Sequence, residues 1–278
     1  MAIKAYRPTT PARRGMTSQD TSNITVSKPI RSLTKIKKSS TGRNNQGRIT
    51  TRHRGGGARR YIRLINFDLP IGTLATVEHI EYDPGRSARI ARVKDQDNRY
   101  HYILAPKNLR QGSKITVGEE AAIKTGNRLA LKNTPTGMVL HAVELQPGRG
   151  AQLARSAGTG VRLIAKDESY GQLRLPSGEI RLARVEAMAS IGSVGNEQHQ
   201  NIQIGKAGRR RHMGIRPTVR GIAMNAADHP MGGGDGGAHG LGRNPKSPWG
   251  RPTLGYKTRS RKANSRLIIK TRHQGKRR

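Results

Sequence analysis

Asn225 to Gly242, NAADHPMGGGDGGAHGLG, is where this 278-residue chain gathers groups suited to acid–base or metal chemistry: Asp228, His229, Asp235 and His239. An imidazole titrates near neutrality and a carboxylate can orient it, so a general acid–base pair or a metal site would use these residue types. No hydroxyl or thiol nucleophile accompanies them at a recognisable spacing. The chain has no cysteine, which removes disulfides, thiolate zinc sites and cysteine nucleophiles. Gly232, Gly234 and Gly237 match G-x-G-x-x-G, but no β run leads into them and no helical pattern follows, as a dinucleotide site requires. No glycine of the run is followed directly by Lys-Ser/Thr, which excludes a P-loop. A basic extension cannot preorganise a catalytic constellation unaided. The segment therefore reads as a glycine-rich loop fitted to a crowded surface, with His229 making a hydrogen bond or a stack. No catalytic residue, metal or protein-bound cofactor is assigned.

The second chemistry is anion binding. Arg48 to Arg60, RITTRHRGGGARR, sets Arg48, Arg52, His53, Arg54, Arg59 and Arg60 around Gly55, Gly56 and Gly57. Glycines let backbone N–H groups approach phosphate oxygens while guanidiniums form forked hydrogen bonds. Lys206 to Arg220, KAGRRRHMGIRPTVR, adds Lys206, Arg209, Arg210, Arg211, Arg216 and Arg220. Three adjacent arginines cannot share one face, so they would engage different phosphates along a threaded chain.

These clusters sit in flanks of opposite character to the middle of the chain. The formal net charge is +36, divided as +14 over residues 1–60, +5 over 61–204 and +17 over 205–278. Such flanks cannot bury enough apolar surface to offset ordering entropy, and are expected to be disordered without a polyanion. Neither flank shows the amphipathic helix a membrane reader would carry. No apolar run approaches the roughly 20 residues of a spanning helix, and the N-terminus lacks the apolar core of a secretory signal. One Phe, one Trp and seven Tyr make base stacking a minor term, so binding should rest on phosphate contacts and shape fit. No helix-turn-helix or zinc-finger pattern favours a transcription factor.

What must position these clusters is a β core. Residues 61–204 offer short runs between turn residues: YIRLINF, TLATVEHIEY, SARIARV, RYHYILAP, KITVG, RLAL, MVLHAVEL, VRLIAKD, LRLPSGEIRLA and SIGSV. Around Pro176, Ser177 and Gly178 the alternation predicts a hairpin with Leu173, Leu175, Ile180 and Leu182 on one buried face. Likewise Tyr100, Tyr102 and Leu104 alternate with Arg99, His101 and Ile103 ahead of Pro106. Ten short strands at this spacing suggest one sandwich or two small barrels; a small-residue run, EEAAIKTGN from Glu119, interrupts the pattern and could form one helical turn linking two barrels. The expected division is a basic extension over 1–60, one small barrel over 61–120, a second over 121–204 and a basic, glycine-rich extension over 205–278.

The motifs together resemble one family, the universal L2 proteins of the large ribosomal subunit in their bacterial type. The resemblance is carried by GRITTRHRGGG, YDPGRSARIA, YILAP, VELQPGRGAQLARSAGT, LRLPSGEIRL, GKAGRRRHMGIRPTVRGIAMNAADHP and GRNPKSPWGRPTLGYKTR, and runs nearly end to end. It implies a mainly β fold, with an oligonucleotide-binding-type barrel followed by a Src-homology-3-like barrel and long basic irregular extensions. It also implies a structural, non-enzymatic role on large-subunit rRNA, in subunit assembly and association and around the peptidyl transferase centre. The basic residues inside the matching motifs, Arg86, Arg155, Arg243, Lys246, Arg251, Lys257 and Arg259, join the expected RNA contacts. Asp228, His229, Pro230, Gly232, Gly233 and Gly234 are expected near the peptidyl transferase region. The chain departs from the family's pattern at Ala58 and Arg59, commonly His and Lys, and at Met231 and Asp235, often His and Glu; the latter pair weakens any metal or acid–base role. Expected partners are rRNA with its associated Mg²⁺, neighbouring ribosomal proteins and the small subunit at the interface, in the cytoplasm or an organelle. A nonspecific nucleic-acid-binding protein or RNA chaperone is the competing class; it would share the charge without needing the long motifs.

Overall fold

The computed structural model describes residues 3–234, 244–255 and 266–272. The chain is mainly β, as expected. In chain order the strands are β1 (Ile3–Ala5), β2 (Thr17–Gln19), β3 (Thr34–Ile36), β4 (Tyr61–Arg63), β5 (Leu74–Glu81), β6 (Ile90–Lys94), β7 (Tyr100–Leu104) and β8 (Lys114–Thr116). They continue as β9 (Arg128–Ala130), β10 (Val139–His141), β11 (Val161–Lys166), β12 (Tyr170–Arg174), β13 (Ile180–Arg184), β14 (Met188–Ile191) and β15 (Ile268–Lys270). The helices are α1 (Pro11–Arg14) and α2 (Ala207–His212), and none among the described residues is long and apolar enough to cross a membrane.

The oligonucleotide-binding-type unit is built on the antiparallel order β7-β6-β5-β8. Its alternating apolar positions, Ala75 and Val77 on β5, Ala91 and Val93 on β6 and Ile115 on β8, form one buried cluster. Tyr102 is fully buried on β7, and its hydroxyl donates to Glu81 Oε2 at 2.9 Å and accepts from the Ile30 amide at 2.9 Å. Burial first, and the Glu81 carboxylate next to it, push the Tyr102 phenol up to about 12. The Src-homology-3-like unit follows in the order β15-β13-β12-β11-β10-β14-β9, around Leu129, Leu140, Val161, Leu163, Leu173 and Ile191.

The run from Glu119 forms turns rather than a helix. Asn127 closes it by accepting from the Thr116 amide at 3.0 Å and donating to Ala122 O at 2.8 Å. The two β units are not independent there. A third cluster, Ala88, Leu104, Ala142, Ala151 and Val194 with Phe67 against it, draws on both. Beside it Arg128 reaches the fully buried Glu144 at 2.6 Å, while Glu144 Oε2 accepts from the Met188 amide at 3.2 Å. Two small barrels that would each be marginal alone thus share a core.

The hairpin at Pro176–Gly178 forms, with Gly178 at φ +85° and its amide donating to Leu175 O at 2.9 Å. Its faces differ from expectation. Leu173 pairs with Arg181 and Gly171 with Ala183, so same-parity residues share a face. Leu173 and Ala183 are buried, whereas Leu175, Ile180 and Leu182 are half-buried. The five-residue connection shifts the phase between the two strands, which alternation along one strand cannot reveal.

Two compact units emerge. One holds residues 1–38, 59–209 and 266–278, and includes both β units; the other holds 39–58 and 210–265. The N-terminal segment of the first contains regular pieces: β1 pairs with β2, and β3 pairs with β4.

Candidate nucleic-acid interface

The second unit joins most of each basic cluster, residues 48–58 of the first and 210–220 of the second, which lie far apart in sequence. Arg54 and Ile215 form an antiparallel bridge. The Gly55 amide donates to Gly214 O at 3.1 Å, Arg216 N to His53 O at 3.0 Å and Ala58 N to His212 O at 2.9 Å. Glycine is required where the strands meet. A Cβ on Gly57, at φ +94°, would lie 2.8 Å from Gly214 N and 2.9 Å from His212 O. Gly55 is buried with its amide already bonded, so it serves chain approach rather than phosphate approach; Gly56 remains exposed. Around this ladder Arg48, Arg54, Arg211, Arg216 and Arg220 are exposed, and Arg52 and His53 are half-buried.

The short helix α2 fans the three consecutive arginines about its axis. Arg210 and Arg211 are exposed, whereas Arg209 is half-buried and donates to Thr17 O on β2 at 3.2 Å. Lys206 and Arg59 are exposed, and Arg59 lies over the Tyr61 ring at 5.5 Å. Arg60 is half-buried, and its carbonyl accepts from the Lys37 amide at 3.0 Å.

Arg86 and Arg155 occupy neighbouring loops of the first unit. Ser87 Oγ accepts from the Ala157 amide at 3.1 Å, and Ser87 O accepts from Asn196 Nδ2 at 2.6 Å. Arg86 is held by Asp83 at 2.7 Å with its side chain 25% exposed, and Arg155 lies over Phe67 at 5.3 Å. Lys246 and Arg251 are exposed on either side of a hairpin. Arg243, Lys257 and Arg259, with Asp235, Gly237 and His239 of the glycine-rich segment, lie outside the described residues.

His229 is only 7% exposed. Its Nδ1 accepts from the Met231 amide at 3.0 Å and its carbonyl accepts from the Gly232 amide at 2.8 Å. A Cβ on Gly221 would lie 2.6 Å from both ring nitrogens, and one on Gly232 would lie 2.6 Å from Met224 O. The imidazole therefore folds the loop. Gly233 and Gly234 take positive φ beyond it, and Asp228 and Pro230 are exposed. Among the described residues, no three His, Asp or Glu side chains are placed to hold a metal ion.

Sequence reasoning passed over Lys35, Lys37 and Lys38, exposed cations on and after β3 whose only signal was a short charge run. Nor does sequence separate surface arginines from structural ones: Arg63, Arg89 and Arg128 are buried.

Comparison with known proteins accounts for both β units and for both clusters. Residues 30–117 match the family "Ribosomal Proteins L2, RNA binding N-terminal domain", and 124–250 match "Ribosomal Proteins L2, C-terminal domain". The gap between the two matches falls in the turn-rich run after β8. The large ribosomal subunit protein uL2 of Paracoccus denitrificans (strain Pd 1222) is 49% identical over 277 residues, which is 99% of each chain. The chain belongs to the ribosomal protein L2 family, as a structural, rRNA-binding protein of the large ribosomal subunit.

Proposed function

We propose that the ladder joining His53–Ala58 to His212–Arg216 is the chain's principal rRNA grip, with its exposed arginines neutralising phosphates of separate strands. The observation that carries this is the set of backbone bonds uniting the two clusters: charge from both flanks is concentrated on one scaffold. Arg86 and Arg155, on adjoining loops, supply a second contact, and Lys206, Arg210, Lys246 and Arg251 extend the first. By this reading the protein supports assembly of the large subunit and its association with the small one, among neighbouring ribosomal proteins in cytoplasmic ribosomes. Mg²⁺ enters only with the RNA.

The glycine-rich loop is proposed to approach the peptidyl transferase region as architecture, leaving catalysis to RNA. In neutral His229, Nδ1 accepts the Met231 N–H, so Nε2 carries the proton and no basic nitrogen is free. Large subunits reconstituted with His229→Ala should assemble poorly, because the ring that organises Gly221 and Met231 is gone. Peptide-bond formation per assembled subunit should stay within about twofold, whereas loss of a general acid–base group costs roughly 100-fold or more. Normal assembly with a 100-fold slower reaction would overturn the architectural reading.

A further inference from the structure

Pro245 to Thr253 form a tight hairpin. Lys246 and Pro252 bridge antiparallel, Ser247 N donates to Arg251 O at 2.8 Å, and Thr253 N donates to Pro245 O at 2.8 Å. The Gly250 amide closes the turn on Ser247 O at 2.9 Å, with Gly250 at φ +79°, and Ser247 Oγ accepts from the Arg251 amide at 3.2 Å. Pro248 and Pro252 fix φ on either side of the turn. At the tip stands Trp249, the only tryptophan of the chain, 64% exposed.

We propose that Trp249 is a base-stacking finger, which receives an unpaired nucleobase of the RNA on its indole face while Lys246 and Arg251 hold the adjoining phosphates. Three features select this occupant. An indole is the largest apolar side chain, and a rigid hairpin presents it outward instead of burying it, so little conformational entropy is lost when a flat partner covers it. The cations on both arms are exposed, and no acidic residue occurs between Asn244 and Gly255, which favours a polyanion over a protein groove. Stacking is sequence-tolerant, because every base has a π face. The scarcity of aromatics thus makes stacking rare in this chain rather than absent. The proposal rests on the rRNA-binding role and names one of its contacts.

A single tryptophan makes the test direct. The full-length chain is titrated with a large-subunit rRNA transcript, following retention on a filter together with Trp249 emission and its quenching by acrylamide. Stacking predicts strong static quenching of the emission in step with retention, and loss of acrylamide access. Trp249→Ala should weaken retention on the order of tenfold, and Trp249→Phe should restore most of it. Retention with unchanged emission and acrylamide access would overturn the stacking finger while leaving the rRNA-binding role intact. A blue shift without quenching would do the same, by placing the indole against protein or ribose. No retention at all would overturn both.

Discussion

A methyl group on Gly57 would press on the Gly214 amide nitrogen and the His212 carbonyl, backbone atoms on the opposite strand of the basic ladder. Backbone cannot rotate aside as a long side chain can, so the ladder must open or the chain must rebuild. Gly56, one residue away, meets nothing within 4 Å and carries only the strain of φ +62°, about 1 kcal/mol for an L-residue. Gly57→Ala is therefore expected to weaken rRNA retention well over tenfold. Gly56→Ala should lose no more than the roughly fivefold that 1 kcal/mol allows, if all of it reaches binding. Equal losses would show that the ladder does not organise the interface. At this scale the sequence was informative about residue type and silent about environment. GGG next to arginine announced a special backbone, but not that its partner would be Gly214. Arg128 and Arg54 look alike in a charge count, yet one is buried against Glu144 and the other is exposed. Only pairing between distant segments separates them.

Strands that bury one face were legible, because alternation at period 2 records which side chains leave water. Every run read from residues 61–204 contains at least part of a strand. The three-residue strands β1, β2, β3 and β15 were not legible: IKA, TSQ, TKI and IIK lie in the basic flanks and are too short to show a period, and they exist through their partners. Strand β10 shows what such partners do to chemistry. His141 sits on it at 2% exposure with Nδ1 donating to Gly192 O at 2.9 Å, and burial pulls its pKa down from 6.5 to about 4, helped by the Arg128 charge. Above pH 6.5 the ring is neutral in both folded and unfolded chains and stability is pH-independent on its account. As pH falls from 6.5 to 4 the unfolded chain takes up a proton that the folded one refuses. Stability then drops by about 3 kcal/mol over that window, at 1.36 kcal/mol per unit. Denaturant melts of the RNA-free protein across this range should show the loss, and His141→Gln, neutral throughout, should remove that share of it. An identical slope in the variant would place the titration elsewhere.

Over the whole molecule, the excess of +36 becomes a mechanical statement once the flanks are seen to meet. Residues 39–58 and 210–265 form one unit, so part of the N-terminal basic flank and most of the C-terminal one share a body, while residues 1–38 and 266–278 belong to the other unit. Charge counting could locate the excess, but not the pairing that concentrates it, since the ladder bonds are backbone bonds and leave no mark in composition. The same body fixes what salt should do. Neutralising Z phosphates gives a slope of roughly −0.7Z to −0.9Z in log K against log salt, and with Z on the order of 10 retention should fall steeply. Composition alone would credit Arg209, Arg210 and Arg211 with three phosphates. The proposed grip counts two, because Arg209 turns inward to Thr17 O while Arg210 and Arg211 are exposed. Replacing Arg210 and Arg211 by Ala should therefore flatten the slope by about 1.4 to 1.8. Adding Arg209→Ala should leave the slope where the double variant put it, while lowering the melting temperature of the RNA-free chain, because a bond to β2 is lost. A further flattening with unchanged melting would mean that Arg209 leaves β2 for a phosphate when RNA binds.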